Sequence, residues 1–505
     1  MQKLDDIFFE DLHDTDAIFV YGTANDKFYS FLKDWLLDKK DRKLYFLEDN
    51  KEQFSSYEKH INQLFQTKAN ILFIEDIEKD LKKIAWDFVY LNIKCVKSSK
   101  ETRFDNFSKI ASFLENFHLG ANLTSYLYSD FGINIFENVY NNLLKTDELF
   151  LFENFKDKFK NRPAVIVGAG PTLEKNAHFL KEFYDKALIF AGGSALNILS
   201  NKNIRFHFGS SVDQKPYFKR FKQNNIFEKP FFYQNQINHN NFSLVNGKKI
   251  LLSDYGLYPL KRWIYEKLNL KQETIEAGWT VTTFLIKIAK FLGCDPIITV
   301  GLDLSFKNNK YAKGAVKTKD NYKQIKTKDI NNLDVYTQKD WILAKNWIEE
   351  FAKSNKDTTF INATEGGLKI ENLKNLKLLD VLNDFEKDSL DFDGLIHSIF
   401  TNQSSKKIDK TKVLDILAII KTSYQSSDVI CDEYLKDIEK NIFDFDLIKL
   451  KNEIVYTHLL EPMWQIWKHV ILRQVEKHEV HILINKLLFF KNVIFEHLNL
   501  LGKIL

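Results

Sequence analysis

The sequence predicts an α/β protein in which helices cover parallel sheets and a helical segment follows. Three observations support this class. Short apolar runs alternate with helical segments over residues 1–100, the alternation returns after Pro163, and strand signals stop near residue 372. This alternation is typical of parallel sheets, because each connection between parallel neighbours needs a crossover that is usually helical.

The chain has 505 residues, which is too long for one hydrophobic core and predicts two to four domains. We expect an N-terminal α/β domain at 1–105, a helical connector at 106–160, a central α/β domain at 161–372 and a helical domain at 373–505. The strands expected in the two α/β domains are 17–21, 43–47, 70–74, 90–96, 164–167, 187–191, 206–209, 230–234, 249–252 and 297–300.

Composition narrows the function classes. The net charge of +4 is small for this length and does not indicate a nucleic-acid partner. Cys95, Cys294 and Cys431 lie far apart, which fits a reducing compartment and argues against disulfides or a zinc site. The acidic N-terminus lacks a signal core, and no apolar run reaches the roughly 18 residues that span a membrane. We therefore expect a cytoplasmic protein without a membrane span.

In the N-terminal domain, Gly22 follows the first expected strand and Glu48 follows the second. This pattern loosely resembles half of a nucleotide-binding domain, in which an acidic residue at a strand end can bind ribose. No glycine-rich fingerprint accompanies it, so a scaffolding or oligomer-forming role is favoured.

The first motif with chemical meaning is the turn Gly168-Ala169-Gly170-Pro171-Thr172 after an apolar strand. Its glycines permit close approach to a ligand, Pro171 suits a first helical position, and a helix N-terminus can bind an anion. It is not a Walker loop, because no Gly-Lys-Ser/Thr follows, and Leu173 replaces the third glycine of a dinucleotide fingerprint. The alternative is a packing turn between strand and helix.

Two further strands also end in small or polar residues. Gly192, Gly193 and Ser194 follow one strand, and Ser211 and Asp213 follow the next. Because open α/β sheets bind ligands at the carboxyl ends of their strands, these turns predict a site. Asp213 can bind a ribose hydroxyl, a metal or a sugar, or it can cap the next helix.

Polar residues continue at three later positions. Thr280 and Thr282 open an apolar helix, where hydroxyl groups can cap the helix or bind a phosphate. Asp303 and Ser305 follow a strand, and Glu365 stands at another strand exit before two glycines.

Together these motifs resemble the motility-associated factor (Maf) flagellin glycosyltransferases, most clearly over residues 160–372. The resemblance implies transfer of a nonulosonic acid, such as pseudaminic or legionaminic acid, from a CMP-activated donor to Ser or Thr of flagellin, in support of flagellar assembly and motility. It also implies that the central domain is Rossmann-like, a GT-A variant similar to the sialyltransferases of glycosyltransferase family 42. The CMP-sugar would be a substrate, with no tightly bound cofactor; a divalent metal and a homo-oligomer stay open.

The resemblance also assigns roles to residues. The turn Gly168–Thr172 matches the donor-binding turn of the sialyltransferases, and Tyr311 matches a tyrosine that binds the donor phosphate. Ser305 stands where a companion tyrosine is expected. The general-base histidine of those enzymes falls at Tyr336, and no histidine occurs between His239 and His397. The candidate bases are therefore Tyr336, Asp213, Asp303 and Glu365.

Two other functions stay open. Archaeal 6-hydroxymethylpterin diphosphokinases share the glycine-rich turn and use ATP with Mg²⁺, but the long flanking regions disfavour them. A flagellin-binding scaffold without catalysis would explain the missing histidine.

The stretch 307–328 holds eight lysines and one acidic residue, and is interpreted as a lid for an anionic donor, an acceptor surface or a solvated loop.

Overall fold

The computed structural model describes residues 12, 14–22, 26–98, 103–215, 227–254, 258–275, 277–306, 324–385, 389–473, 475 and 478–505. They form two compact units, Met1–Gly132 with Tyr424–Glu496, and Ile133–Ser423 with His497–Leu505. The four domains expected from the sequence have different boundaries from these two units. The division after Gly132, for example, lies inside the expected connector 106–160.

The strands and helices have the following bounds. The strands are β1 (Ala17–Tyr21), β2 (Lys43–Glu48), β3 (Ala69–Phe73), β4 (Ile93–Lys97), β5 (Glu148–Leu151), β6 (Ala164–Val167), β7 (Leu188–Gly192), β8 (Phe208–Ser211), β9 (Phe231–Tyr233), β10 (Lys249–Leu251), β11 (Ile297–Val300), β12 (Ile325–Lys328), β13 (Asp334–Thr337), β14 (Phe360–Asn362), β15 (Lys374–Asn375) and β16 (Lys406–Lys407). The α-helices are α1 (Asp26–Asp38), α2 (Lys51–Phe65), α3 (Ile77–Asp87), α4 (Phe104–Lys145), α5 (Leu173–Asn176), α6 (Ser194–Asn201), α7 (His239–Phe242), α8 (Pro259–Lys267), α9 (Val281–Phe291), α10 (Lys339–Ser354), α11 (Leu378–Asp384), α12 (Phe392–Asn402), α13 (Lys410–Glu439), α14 (Glu461–Ile471) and α15 (Glu479–Ile504).

The first unit contains a parallel sheet in the order β3-β2-β1-β4. Every residue of β1 is buried, as expected for a central strand with a covered face on each side. At the carboxyl edge of this sheet, Arg103 Nη1 donates to Glu48 Oε1 at 2.9 Å and to Asp49 Oδ1 at 2.6 Å. The carboxylate of Glu48 is thus buried and paired within the protein, an arrangement that suits a scaffold better than ribose binding.

The second unit contains a sheet in the order β15-β14-β11-β6-β7-β8-β9-β10-β5-β16. Its pairs are parallel except for β16, which runs antiparallel to β5. From β6 the chain proceeds outward through β7 to β10, and then returns to place β11 on the other side of β6. The carboxyl edge beside β6 and β11 is therefore the point of reversal at which open α/β sheets bind ligands.

Apolar packing holds this reversal point in place. All four residues of β6 and of β11 are buried, and α9 lies against the sheet through Phe284, Leu285 and Ile288. Burial of each such side chain contributes roughly 1.5–3 kcal/mol of hydrophobic free energy. The α/β class with parallel sheets is confirmed, including the smaller N-terminal sheet.

Several elements differ from the sequence-based prediction. The helix expected after the turn Gly168–Thr172 is only the four-residue α5, and a 3₁₀ helix at Ala177–Lys181 follows it. The four-residue strand β5 carries no local signal, because its partners β10 and β16 are distant in the chain. The strands β12 and β13 form a local antiparallel hairpin of two four-residue strands, which the sequence-based prediction did not include. After residue 372, where no strand was expected, β15 and β16 are two-residue edge strands and the other described elements are helical.

Within the described residues, no helix combines the length and the apolar character needed to cross a membrane. The same residues contain no group of three or more His, Cys, Asp or Glu side chains placed to bind a metal ion.

Candidate active site at the carboxyl edge of the central sheet

The turns after β6 and β11 interlock through their backbones. Gly168 N donates to Val300 O at 2.8 Å, and Gly170 N donates to Gly301 O at 2.8 Å. A Cβ atom at Gly168 would lie 2.4 Å from Gly301 O, a distance that excludes any side chain. Glycine at this position is therefore a requirement of the close approach of the two turns.

Asp303 is the acidic side chain on which these turns converge. Thr172 Oγ1 donates to Asp303 Oδ2 at 2.7 Å, and Thr172 N lies 3.3 Å from Asp303 Oδ1. The residue is only 4% exposed. Burial raises the pKa of the Asp303 carboxyl group to about 6, against the opposing effect of the two hydrogen bonds from Thr172.

The turn after β14 closes over Asp303 from the other side. Leu368 N donates to Asp303 O at 2.9 Å, and Leu302 N donates to Thr364 Oγ1 at 3.1 Å. Gly367 has φ +73°, and a Cβ atom there would lie 2.4 Å from Asp303 Cα. These contacts hold Asp303 between three strand ends.

Glu365 has a role in the backbone of this same turn. Its Oε1 accepts from Asn176 Nδ2 at 3.2 Å and from Leu378 N at 3.1 Å. Glu365 has φ +59°, so its backbone lies in the left-handed region. The hydrogen bonds of its side chain help to hold the backbone in this conformation. The carboxylate thus joins α5 to the start of α11, which makes Glu365 a weaker candidate base than Asp303.

A second group of residues meets at the ends of β7 and β8. Gly193 N donates to Ser210 O at 3.1 Å, and Ser194 opens α6. Ser211 is buried at the last position of β8, and Asp213, which is half-buried, has its N–H 3.4 Å from Ser211 Oγ. These residues lie beside the first group, because β6 and β7 are neighbours in register.

The N-terminus of α9 completes the second group. A Cβ atom at Gly192 would lie 2.5 Å from Val281 Cγ2, so the helix start is pressed against the end of β7. Thr280 Oγ1 accepts from Thr283 N at 3.2 Å, while Thr283 Oγ1 accepts from Thr280 N at 3.0 Å. Thr280 is therefore the N-cap of α9, and Thr282 is buried in its first turn.

The structure brings Tyr336 next to the turn after β11. Tyr336 N donates to Phe306 O at 3.0 Å, and the two rings stack with centroids 6.3 Å apart. Thr337 Oγ1 donates to Leu304 O at 2.8 Å, which fixes β13 beside buried Ser305. Tyr336 is 37% exposed to solvent. Tyr311 and positions 307–323 of the lysine-rich stretch lie outside the described residues.

The candidate bases do not converge on one point. Asp213 follows β8 and Asp303 follows β11, with β7 and β6 between them, so they are about 14 Å apart at the usual strand spacing. Asp303, Tyr336 and Glu365 surround the reversal point, whereas Asp213 lies toward the second group. Asp213 and Asp303 are therefore too far apart to act on the same proton.

The arrangement changes the interpretation of the glycine-rich turn. The sequence indicates that N–H groups at the start of the helix after this turn can bind an anion. In the structure α5 has four residues, and the N–H of Thr172 donates to Asp303 instead. The carboxylate of Asp303 thus occupies the position in which a ligand phosphate was expected. The N-termini of α6 and α9 therefore suit a phosphate better. Sequence reasoning missed this pairing because Thr172 and Asp303 are 131 residues apart.

The family model described as 6-hydroxymethylpterin diphosphokinase MptE-like matches residues 137–309. A search of curated protein sequences found no match. The structure of a Maf glycosyltransferase from Magnetospirillum magneticum AMB-1 aligns with a TM-score of 0.55 and 13% identity, over 96% of this chain and 74% of that chain. The expected Maf-like fold is thereby confirmed, and the chain has the fold seen in that glycosyltransferase.

Proposed function

We propose that the chain is a glycosyltransferase that moves a nonulosonic acid of the pseudaminic or legionaminic type from CMP to Ser or Thr of flagellin. The observation that carries the proposal is the interlocked turn Gly168–Thr172 with buried Asp303, at the reversal point of a sheet with a Maf-like fold. The proposed setting is the cytoplasm, which suits the free cysteines Cys95, Cys294 and Cys431.

The proposed reaction makes three demands on the site. Departure of CMP builds negative charge on its phosphate and positive, oxocarbenium-like charge on the sugar. The site must stabilise the phosphate, orient the acceptor hydroxyl and receive its proton.

The starts of α6 and α9 are the proposed phosphate-binding elements. Gly193 and Ser194 stand at the start of α6, and Thr280 caps α9. The positive ends of both helix dipoles attract an anion, and neither start carries an acidic residue in its first turn. The expected role of Tyr311 in binding the same phosphate stays a prediction from the resemblance.

Asp303 is the proposed proton acceptor. A pKa of about 6 leaves the carboxyl group mostly ionised at neutral pH yet still basic, which suits a general base. Because Asp303 is buried, the acceptor proton passes to Thr172 Oγ1 as the Thr172 proton passes to Asp303 Oδ2. Tyr336, Asp213 and Glu365 are the alternative bases.

The test is incubation of the full chain with purified flagellin and CMP-pseudaminic or CMP-legionaminic acid. We expect flagellin to gain the mass of one or more nonulosonic acid residues in intact-protein mass spectrometry. Asp303→Asn should lower the rate at least a hundredfold while CMP affinity, measured by calorimetry, stays within about threefold. Asp357→Asn, at the opposite edge of the sheet, is the matched control. A parallel reaction in EDTA tests for a metal requirement.

A second candidate function follows from the family model that matches residues 137–309. If the chain is a pterin diphosphokinase, ATP, Mg²⁺ and 6-hydroxymethylpterin will give a diphosphorylated pterin, and flagellin will gain no mass. Co-purification with flagellin without either product would instead indicate a scaffold. Either result would displace the proposed transferase.

A further inference from the structure

A cavity of about 780 Å³ opens at the carboxyl edge of the larger sheet in the second unit, beyond the residues of the candidate active site. It lies where β10 and β5 end, four and five strands from β6 in the sheet order. At the usual strand spacing this is about 19–24 Å from the turn after β6. The nearer residues of the candidate site, at the end of β8, are two to three strands or about 10–14 Å away, so the cavity lies outside that site. Its volume is within the range of small-molecule pockets.

The walls of the cavity are fixed to the sheet. Gln272 Nε2 donates to Leu251 O at 3.0 Å, and Gln272 Oε1 accepts from Glu153 N at 3.3 Å. Ile275 N donates to Ser253 O at 2.7 Å. The segment after α8 is thus tied to the ends of both β5 and β10, so the cavity is formed before any ligand arrives.

A buried ion pair is part of the cavity lining. Lys261 Nζ donates to Asp254 Oδ2, and the two side chains are only 4% and 11% exposed. Asp254 Oδ1 is also buried and accepts no hydrogen bond from the protein. A buried acceptor without a donor destabilises the protein, and a ligand hydroxyl group that donates to it would remove this cost.

The lining favours a neutral ligand that both donates and accepts hydrogen bonds. Its charged residues balance, with three basic and three acidic side chains: Lys261, Arg262, Lys271, Glu153, Asp254 and Glu273. Such a lining gives no preference to an anion or a cation as a whole. Pro259 and Tyr265 add apolar surface, against which the C–H face of a sugar ring can pack. Burial raises the pKa of Tyr265, so its hydroxyl group stays protonated.

We propose that this cavity is a binding site for a neutral, polyhydroxylated carbohydrate, held by the Asp254–Lys261 pair. It binds independently of the candidate transfer site, and it does not depend on the chain being a transferase. The ligand hydroxyl group donates to Asp254 Oδ1, and Lys261 Nζ, an ammonium with three N–H groups, donates to a neighbouring sugar oxygen.

The test uses saturation-transfer-difference NMR on the full chain with glucose, galactose and N-acetylglucosamine as probes. We expect at least one sugar to bind with millimolar affinity and to stay bound when CMP is added in excess. Loss of the signal on adding CMP would place the sugar in the candidate transfer site and overturn the proposal. Binding of inorganic phosphate but of none of the sugars, or no binding of any probe, would also overturn it.

The test variant replaces both charged residues of the ion pair, because a single buried charge left without its partner would destabilise the protein. Asp254→Asn with Lys261→Met should weaken sugar binding at least tenfold, with a melting temperature close to that of the wild type. The control is Asp357→Asn with Lys290→Met, which removes an ion pair of the same composition with N–O distance 2.6 Å and should leave binding unchanged. If the first double variant does not fold, Tyr265→Phe with Glu273→Gln replaces it, and wild-type sugar affinity in the variant that folds would refute the site.

Discussion

At the residue scale, Asp303 is a buried carboxyl group whose folded-state pKa of about 6 exceeds its usual value of 3.8. The folded state therefore binds the proton more tightly than the unfolded state does. The stabilising contribution of this group is complete below pH about 4 and is lost as the pH rises through about 6.

This shift predicts a pH-dependent difference between the wild type and Asp303→Asn. Relative to the variant, the wild type should lose up to about 3 kcal/mol of unfolding free energy between pH 4 and pH 7. Urea unfolding at four pH values measures this difference. Asp357→Asn is a control of opposite sign, because Lys290 lowers the pKa of Asp357 and that stabilisation is lost as the pH falls. Parallel curves for the wild type and Asp303→Asn would contradict the prediction.

Gly170 is the second residue with a defined steric role. A Cβ atom there would lie 1.9 Å from Asp303 Oδ2, so even alanine must displace the carboxyl group. We expect Gly170→Ala to lower the unfolding free energy by about 2 kcal/mol or more.

Gly120→Ala is the matched control for Gly170→Ala. Gly120 lies in α4, and a Cβ atom there meets no atom within 4 Å. Alanine should raise the unfolding free energy by up to about 1 kcal/mol, because it favours the helix. Equal effects of the two substitutions in chemical denaturation would show that Gly170 does not abut Asp303.

At the element scale, the start of α9 combines a helix cap with a proposed phosphate site. The reciprocal bonds between Thr280 and Thr283 satisfy N–H groups of the first turn, and they explain why the helix begins there. The sequence left both roles of Thr280 open, and the structure shows the capping role.

Three substitutions of Thr280 separate capping from ligand binding. Thr280→Ala should cost about 1 kcal/mol of stability, whereas Thr280→Asn and Thr280→Asp keep a capping oxygen and should cost less. Thr280→Asp also places a negative charge at the helix start, so it should weaken CMP binding at least tenfold relative to Thr280→Asn. Calorimetry with CMP, together with thermal melting, measures both effects. Equal CMP affinities of the Asp and Asn variants would remove α9 from the phosphate site.

At the scale of the whole molecule, the three cysteines report on the integrity of the fold. All three are free, and burial raises the pKa of Cys95 and of Cys431 to about 12 and raises that of Cys294 as well. Almost no thiolate is therefore present at pH 8.

Alkylation should consequently distinguish the folded from the unfolded chain. We expect iodoacetamide at pH 8 to leave the native mass almost unchanged and to add three groups after denaturation. A reductant should not alter the melting temperature. Fast labelling of one native cysteine would show that its surroundings open to solvent.

The central strands β1, β6 and β11 of the two parallel sheets were predictable, because apolar runs of four or five residues in a buried parallel strand differ from their surroundings. The predicted bounds 17–21, 164–167 and 297–300 coincide with β1, β6 and β11. The turns Gly168–Thr172 and Gly192–Ser194 were predictable for a related reason, since glycine after a strand is itself a conformational signal.

Pairing across the chain was not predictable. No local pattern states that Thr172 donates to Asp303 or that Asn176 donates to Glu365, because the residues of each pair are far apart in the chain. The sequence by itself determined the α/β class, the central strands and the strand ends that carry polar residues, because these depend on periodicity and on glycine. Only the tertiary structure decided which of those strand ends meet, since the order of strands in the sheet, and with it every contact between distant turns, depends on the packing of the whole core.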